Sequence, residues 1–309
     1  MSATSGRARV SIVGASGYTG GELLRLLLDH PGAEVLCATS RSLAGQPLHR
    51  VHPNLRGRSE MLFTVPEEVP ASDVVFLCMP HGEASREIER WLDRARTVID
   101  LSADFRLRDA AVYRAWYEEE HPAPARLASA VYELPELHRR EMRVGAEPAR
   151  LISGVGCNAT AMNLALLPLA RAGLIERAIC DIKVGSSEAG AEPSAGSHHP
   201  ERSGAVRSYA PVGHRHAAEV GQELGEFPLD VSITSIEMVR GVLCTAHVIP
   251  TRRVEMKDLW KAYRGAYSGE PFVRLVAEKS GPHRLPDPKI LAGTNYADVG
   301  FDIDPRSGR

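Results

Sequence analysis

The first half of the chain alternates short β-branched runs with stretches of helical spacing. Ala8 to Val13, Glu34 to Thr39, Met61 to Val65, Asp73 to Met79, Thr97 to Leu101 and Leu151 to Ser153 read as strands. Gly21 to Asp29 and Glu83 to Ala95 read as helices, the second with Ile88, Trp91 and Leu92 at core-facing spacing. Strands separated by helices predict an α/β unit with a doubly wound parallel sheet. After Cys157 the rhythm changes. A long apolar helix, Ala161 to Ala172, is followed by a strand, Ile179 to Val184, and by a polar segment rich in Gly, Ser, Glu and His from Gly185 to Ser203. Two alternating strands, Asp230 to Met238 and Val242 to Pro250, are then separated by only a few residues, which predicts an antiparallel hairpin. This is α+β grammar, so the chain is expected to divide near Gly154 to Gly156 into domains 1–155 and 156–309.

Composition narrows the function classes. The 309 residues are 43% hydrophobic and 25% charged, as in a globular protein and unlike a disordered or fibrous one. A net charge of −2 gives no bulk attraction to nucleic acid or to an anionic membrane, so any charged partner must be met by a local patch. Apolar stretches such as Val74 to Met79 and Leu164 to Ala170 fall far short of a bilayer span, and Met1 to Arg9 lacks a signal-peptide core. A cytoplasmic location is expected. The five cysteines contain no Cys-x-x-Cys pair. Cys37, Cys78, Cys180 and Cys244 sit in or beside apolar runs and read as small core residues, whereas Cys157 does not.

The first strand runs into Gly14-Ala15-Ser16-Gly17-Tyr18-Thr19-Gly20 and then into a helix. Glycines at 14, 17 and 20 permit a tight turn, close approach of backbone N–H groups to a pyrophosphate, and close helix-on-strand packing. The first domain is therefore read as Rossmann-like. Where an NAD enzyme would carry a carboxylate for the ribose 2′-hydroxyl, the second strand ends in Thr39-Ser40-Arg41. With Ser40 and Arg41 there, a 2′-phosphate is accommodated and NADP is the expected cofactor.

Cys157 lies in Gly154-Val155-Gly156-Cys157-Asn158-Ala159-Thr160, immediately before the apolar helix. A helix N-terminus offers open N–H donors and a positive dipole, which favour a thiolate and an oxyanion beside it. A thiolate that becomes acylated needs a proton shuttle, and Gly213-His214-Arg215-His216 supplies imidazoles, with Glu219 able to orient one of them. The competing reading of His198, His199, His214 and His216 is a metal site, which no spacing fixes; no metal is expected.

Together with Glu22-Leu23, Pro80-His81-Gly82, Asp100 through Arg106, Leu134-Pro135-Glu136-Leu137 and Gly156 through Ala161, these motifs resemble those of the N-acetyl-gamma-glutamyl-phosphate reductase family and its sister branch in lysine biosynthesis, over essentially the whole chain. The resemblance implies NADPH-dependent reduction of an acyl phosphate to a semialdehyde. It assigns Cys157 as the nucleophile that forms a thioester, His214 as the acid/base, and Ser102, Arg106, Ser186 and Glu219 as contacts to substrate or phosphate, with backbone N–H groups near Asn158 serving the oxyanion. Ala195 through Gly204, leading to Tyr209, is similar to the lysine branch, whose substrate is L-2-aminoadipyl 6-phosphate carried on a small acidic carrier protein; glutamyl 5-phosphate is the shorter counterpart. His199, Arg202, Arg207 and Arg215 would then offer that carrier a basic face. A homo-oligomer is expected. The alternatives are reduction of free N-acetyl-gamma-glutamyl phosphate in arginine biosynthesis, and a non-catalytic NADP-binding sensor. Two departures from the family pattern stand out: a carboxylate, Glu188, in a loop expected to carry small residues, and an end at Arg309 where a C-terminal strand and helix are expected.

Overall fold

The computed structural model describes residues 6–143 and 150–309. Contacts divide the chain into two compact units, Met1–Val155 and Gly156–Arg309.

The first unit is built on six parallel strands in the order β2-β1-β3-β4-β6-β5. They are β1 (Ala8–Val13), β2 (Ala33–Ala38), β3 (Ser72–Leu77), β4 (Ala95–Asp100), β5 (Val131–Tyr132) and β6 (Leu151–Ser153). Val10, Ile12 and Val13 on β1 are buried, as are Val75 and Leu77 on β3, because helices cover both faces of such a sheet. The helices are α1 (Tyr18–Leu27), α2 (Glu83–Arg94), α3 (Ala110–Tyr117) and the single turns α4 (Pro124–Leu127) and α5 (Pro135–His138). On α2 the predicted face is used, with Ile88, Trp91 and Leu92 buried. The strand order reverses direction between β1 and β3, and the crevice at the carboxyl ends of two such strands is where doubly wound sheets bind ligands.

One predicted strand is absent. Met61 to Val65 makes only isolated bridges, Thr39 with Thr64 and Pro47 with Leu62. Prolines 47, 53 and 66 and three single 3-10 turns around it interrupt any ladder, and its apolar content goes into plugging the core with Phe63.

The second unit carries α6 (Cys157–Arg171), β7 (Ile175–Val184), α7 (His199–Arg202), β8 (Val206–Ala210), α8 (His216–Leu224), β9 (Leu229–Ile236), β10 (Val242–Pro250), α9 (Met256–Tyr267), β11 (Val273–Leu275), α10 (Pro288–Leu291) and β12 (Ala297–Val299). Its main sheet has the order β10-β7-β9-β8. The expected hairpin of the last two long strands is therefore not formed: β7 lies between them, parallel to β9 and antiparallel to β10. Strand β7 takes the centre because Ala178, Cys180, Ile182 and Val184 are all buried against Met162 and Leu166 of α6 and Val220 of α8. The short link from β9 to β10 crosses the end of β7, where Ser186 and Ser187 donate to the carbonyls of Met238 and Val239. A Cβ on Gly185 would lie 2.7 Å from the Val239 oxygen, so only glycine fits under the crossing.

Helix α6 begins at Cys157, four residues before the apolar run that predicted it, and contains Pro168. Proline has no N–H for the carbonyl of Leu164, four residues earlier. The hydroxyl of Tyr267 on α9 donates to that oxygen at 2.5 Å, which satisfies it and docks α9 on α6.

Candidate active site

In the second unit Gly156 caps α6 and Cys157 is its first residue. The Gly156 backbone (φ −69, ψ 137) is ordinary extended geometry, so its lack of a side chain is needed for space. A Cβ there would lie 2.7 Å from both Glu219 Oε1 and His216 Nε2. The Gly156 N–H donates to Glu219 Oε2 at 3.0 Å, and His216 Nε2 stands 3.8 Å from Glu219 Oε1. Both side chains are buried, at 5% and 1% exposure. Cys157 is exposed, while Cys37 and Cys180 are buried and Cys78 and Cys244 half-buried; burial pushes the Cys78 thiol up to about 12. Asn158 is buried beside Cys157, with its Oδ1 3.7 Å from the thiol sulfur.

His214 and His216 do not share an extended face, because His216 starts α8. Their rings meet edge to face at 4.4 Å, and the backbone N–H of His216 donates to His214 Nδ1 at 3.2 Å. That bond leaves the proton of a neutral His214 on Nε2. Burial, reinforced by the Arg215 charge, pushes His214 down to about 4, so it is neutral at physiological pH. The carboxylate that sequence spacing offered to either histidine stands beside His216.

A cleft of about 210 Å³ opens among Ser186, Glu188, Ser197, Arg202, Arg207 and Tyr209. Arg202 donates Nη2 to the Val184 carbonyl at 3.2 Å, and its buried Nε has no hydrogen-bond partner among the described residues. Tyr209 donates to Glu188 at 3.1 Å. Burial raises the Glu188 carboxyl, against the pull of Tyr209, Arg202 and Arg215. Burial also raises the Tyr209 hydroxyl, as do the negative charges of Glu188 and a Cys157 thiolate, so Tyr209 stands within electrostatic reach of the thiol. Neither Tyr209 nor Glu188 stood among the expected site residues, although Glu188 had stood out as a departure. His199 is exposed on α7, and Arg207 is an exposed residue of β8, an edge strand that the sequence reading did not include. Among the described residues no group of three or more His, Cys, Asp and Glu is placed to hold a metal ion.

In the first unit the glycine turn has the shape of a phosphate cradle. Gly14 has φ +75 and would place a Cβ 2.6 Å from the Cys78 carbonyl oxygen, which brings the turns after β1 and β3 together. Gly20 would place one 2.4 Å from Ala15 Cα, whereas Gly17 has nothing within 4 Å of that position. Tyr18 and Thr19 are exposed, and the hydroxyl of Ser40 donates to that of Ser16 at 3.2 Å. These residues fit a dinucleotide. Arg41 pairs with Glu87 at 3.1 Å on the surface, an exposed contact worth at most ~1 kcal/mol that a 2′-phosphate can displace. Ser102 donates its hydroxyl to Asp100 at 2.8 Å and receives the Asp104 N–H at 3.1 Å, and Arg106 Nε donates to the Ser102 carbonyl at 3.1 Å. Much of the capacity of Ser102 is thus committed to its own turn. Burial lifts Asp100 to about 6, whereas Asp104, although buried, is drawn down to about 2 by His81 and the N–H groups of Gly82 and Ser85.

The comparisons with known proteins agree with this picture. The model described as semialdehyde dehydrogenase, NAD binding domain, matches residues 9–144, and that described as semialdehyde dehydrogenase, dimerisation domain, matches residues 157–309. A Thermomicrobium roseum protein named putative LysW-L-2-aminoadipate 6-phosphate reductase is 55% identical over 97% of this chain and 86% of its own. The LysW-L-2-aminoadipate 6-phosphate reductase of Deinococcus radiodurans is 47% identical over 97% and 86%. The LysW-L-2-aminoadipate/LysW-L-glutamate phosphate reductase of Saccharolobus solfataricus is 45% identical over 98% and 87%. Among solved structures, aspartate semialdehyde dehydrogenase II from Vibrio cholerae superposes with a TM-score of 0.72 at 14% identity, covering 96% of this chain and 89% of that one. The Candida albicans aspartate semialdehyde dehydrogenase solved with NADP gives 0.67 at 12% identity, with 95% and 88% covered. At such identities these two establish the fold alone.

Proposed function

The chain belongs to the semialdehyde dehydrogenase family, and from that premise we propose that it reduces L-2-aminoadipyl 6-phosphate, carried on a small acidic carrier protein, to the semialdehyde with release of phosphate. Glutamyl 5-phosphate on the same carrier is the second substrate this reading admits. The observation that carries it is the exposed Cys157 at the first position of α6, backed by the buried His216 and Glu219.

The Cys157 thiolate attacks the acyl carbon; the C–S bond forms as the C–O bond to phosphate breaks, and phosphate leaves with the electron pair. The glycine turn with Ser16, Ser40 and Arg41 would hold NADPH, which when bound would supply the hydride that reduces the thioester. Loss of the C–S bond then returns the thiolate and frees the aldehyde. Open N–H groups at the start of α6 stabilise the oxyanion of each tetrahedral state. His214 is the proposed acid/base group: as it stands, neutral and half-buried, its Nε2–H is a hydrogen-bond donor, and to take the thiol proton at Nε2 the ring must exchange the His216 N–H for a proton on Nδ1. His216 and Glu219 act through others, His216 by fixing the His214 tautomer and Glu219 by tethering Gly156. Arg202, whose buried Nε meets no partner among the described residues, and Ser186 supply donors for an anionic group of the substrate in the cleft. Arg207 and Arg215 offer exposed charge to the carrier, joined by His199 when protonated. Ser102 and Arg106 complete the proposed substrate contacts, and the family's dimerisation domain supports a homo-oligomer.

Phosphate-dependent reduction of NADP by semialdehyde is the direct assay, run with carrier-bound and free N-acetylated substrates of both lengths. Cys157→Ser should abolish it while NADP affinity stays within about threefold, because the thiolate belongs to the chemistry alone. Substantial residual turnover rules out the thioester route. Equal efficiency with free N-acetyl-glutamyl semialdehyde transfers the protein to arginine biosynthesis, and no turnover with any substrate leaves the sensor reading.

A further inference from the structure

His52 belongs to neither the sequence motifs nor the proposed chemistry, yet it is buried under the cofactor turn at 9% exposure. It is held there from several sides. Its N–H donates to the Leu48 carbonyl at 2.9 Å, Leu48 and Leu55 on either side of it are fully buried, and its ring meets the Phe63 ring edge-on at 6.3 Å. Its Nε2 lies 2.8 Å from the carbonyl oxygen of Ala15, in the middle of the glycine turn. A carbonyl only accepts, so Nε2 carries the proton.

This contact orients a peptide group. In a trans peptide the C=O of one residue and the N–H of the next point in opposite directions. With the Ala15 oxygen drawn inward to His52, the N–H of Ser16 is aimed outward, on the side where the turn after β1 receives phosphate. Ala15 is clamped further: its own N–H donates to the Thr39 carbonyl at 2.8 Å, and Gly20 lies so close that a Cβ there would be 2.4 Å from Ala15 Cα. The adjacent Gly21 has a separate reason to be glycine. A Cβ at Gly21 would fall 2.5 Å from both Cε1 and Nδ1 of His52. Gly20 lets the first turn of α1 rest on Ala15, and Gly21 lets it rest on the histidine that holds Ala15.

We propose that His52 is a positioning residue for cofactor binding: by hydrogen bonding to Ala15 it sets the Ala15–Ser16 peptide so that the Ser16 N–H faces the pyrophosphate, and Gly21 exists to admit its ring. This asks only that the first unit bind a dinucleotide and is independent of which acyl phosphate the protein reduces.

The test measures NADPH affinity by fluorescence titration of the full chain, alongside thermal melts. His52→Leu removes the donor and should raise the NADPH Kd about tenfold, the equivalent of one ordinary hydrogen bond. His52→Gln, whose amide nitrogen can donate, should stay within about threefold of the parent. Turnover at saturating NADPH should change little in either, which places the effect in KM for the cofactor rather than in kcat. Gly21→Ala should push the ring off Ala15 and weaken NADPH to a similar extent, yet add less than about twofold in a His52→Ala background, because the space vacated by the ring takes up the methyl. Adenosine 2′-phosphate, which lacks the pyrophosphate, should bind all variants alike. A folded His52→Leu protein with unchanged NADPH affinity overturns the proposal. So does a Gly21→Ala loss of the same size with and without His52, or a parallel loss of adenosine 2′-phosphate binding. If His52→Leu fails to fold, Gly21→Ala and His52→Gln decide it.

Discussion

Gly156→Ala is a narrow test of the architecture behind the nucleophile. Alanine adopts φ −69 and ψ 137 without strain, so the backbone has no objection and only the added methyl acts. That methyl would sit 2.7 Å from Glu219 Oε1 and His216 Nε2, well inside van der Waals contact. Neither partner can swing away into water, being 1% and 5% exposed. Relief requires moving Gly156 off Glu219, which breaks the 3.0 Å N–H to carboxylate bond, or displacing His216 and with it the N–H that fixes His214. Overpacking of this kind costs ~1–3 kcal/mol, and a hydrogen bond to a charged group contributes ~1.5–3 kcal/mol, so a net loss of about 2–4 kcal/mol is expected because one displacement relieves both. An ordinary domain survives that. Turnover should fall at least ~10²-fold, since the residue displaced is bonded to Cys157 and small misplacements of a nucleophile have effects of that size. Gly221→Ala on α8 is the control: it has nothing within 4 Å of its Cβ position, and alanine in a helix interior should add ~0.5–1 kcal/mol. Denaturant unfolding and the semialdehyde-dependent reduction of NADP are measured on both. A Gly156→Ala protein with stability and kcat/KM within about threefold of the parent would refute the reasoning.

His214→Asn should slow turnover by ~10²-fold or more, as for loss of a general acid/base, while His216→Asn, which keeps the backbone N–H and removes only the ring packed edge to face on His214, acts less strongly; the opposite order, read from kcat, moves the role to His216. The folded chain holds His214 at about 4 against an ordinary 6.5, so it contributes stability above pH 6.5 that is lost as pH falls toward 4; because the ring is only half-buried, the parent should lose no more than about 1 kcal/mol relative to His214→Asn across that window in urea titrations. Glu133 is pushed up to about 7 by burial, so its charge disfavours the fold above neutrality; Glu133→Gln should gain ~1–3 kcal/mol at pH 8 and nothing below about pH 4.5, as read from unfolding curves at the two pH values. Arg41→Ala should weaken NADP at least tenfold more than NAD by titration, because only the 2′-phosphate rewards exchanging Glu87 for a new partner; equal losses mean that Arg41 serves the fold.

The parallel sheet was readable because its signal is local. Runs such as Ala8–Val13 and Ser72–Leu77 end in β-branched and apolar residues that point to either face, and each is followed by a helix that leaves one way to connect them. In the second unit local pattern points to the wrong pairing of β9 and β10. Proximity in sequence favours a hairpin, but the burial of alternate residues along the ten-residue β7 places that strand between them. The information that decides the order is spread over Gly185, Met238 and Val239, where one chain crosses another, and no short window of sequence contains it.

The site divides along the same line. Cys157 was legible from its glycine-flanked place before a helix, and the glycine turn from its place after a strand, since each depends on neighbours in sequence. The partners that make them work are distant in sequence: Glu219 reaches Gly156 across sixty-three residues and His52 reaches Ala15 across thirty-seven. In both cases the trace left in the sequence is a glycine beside the functional residue, Gly156 before Cys157 and Gly21 after Gly20, each needed because a side chain from elsewhere occupies the space. Neither glycine has the positive φ that would otherwise explain it. A glycine in an ordinary conformation next to a functional residue is thus a sign of a buried partner pressed against the backbone, and the identity of that partner becomes known only when the chain is folded.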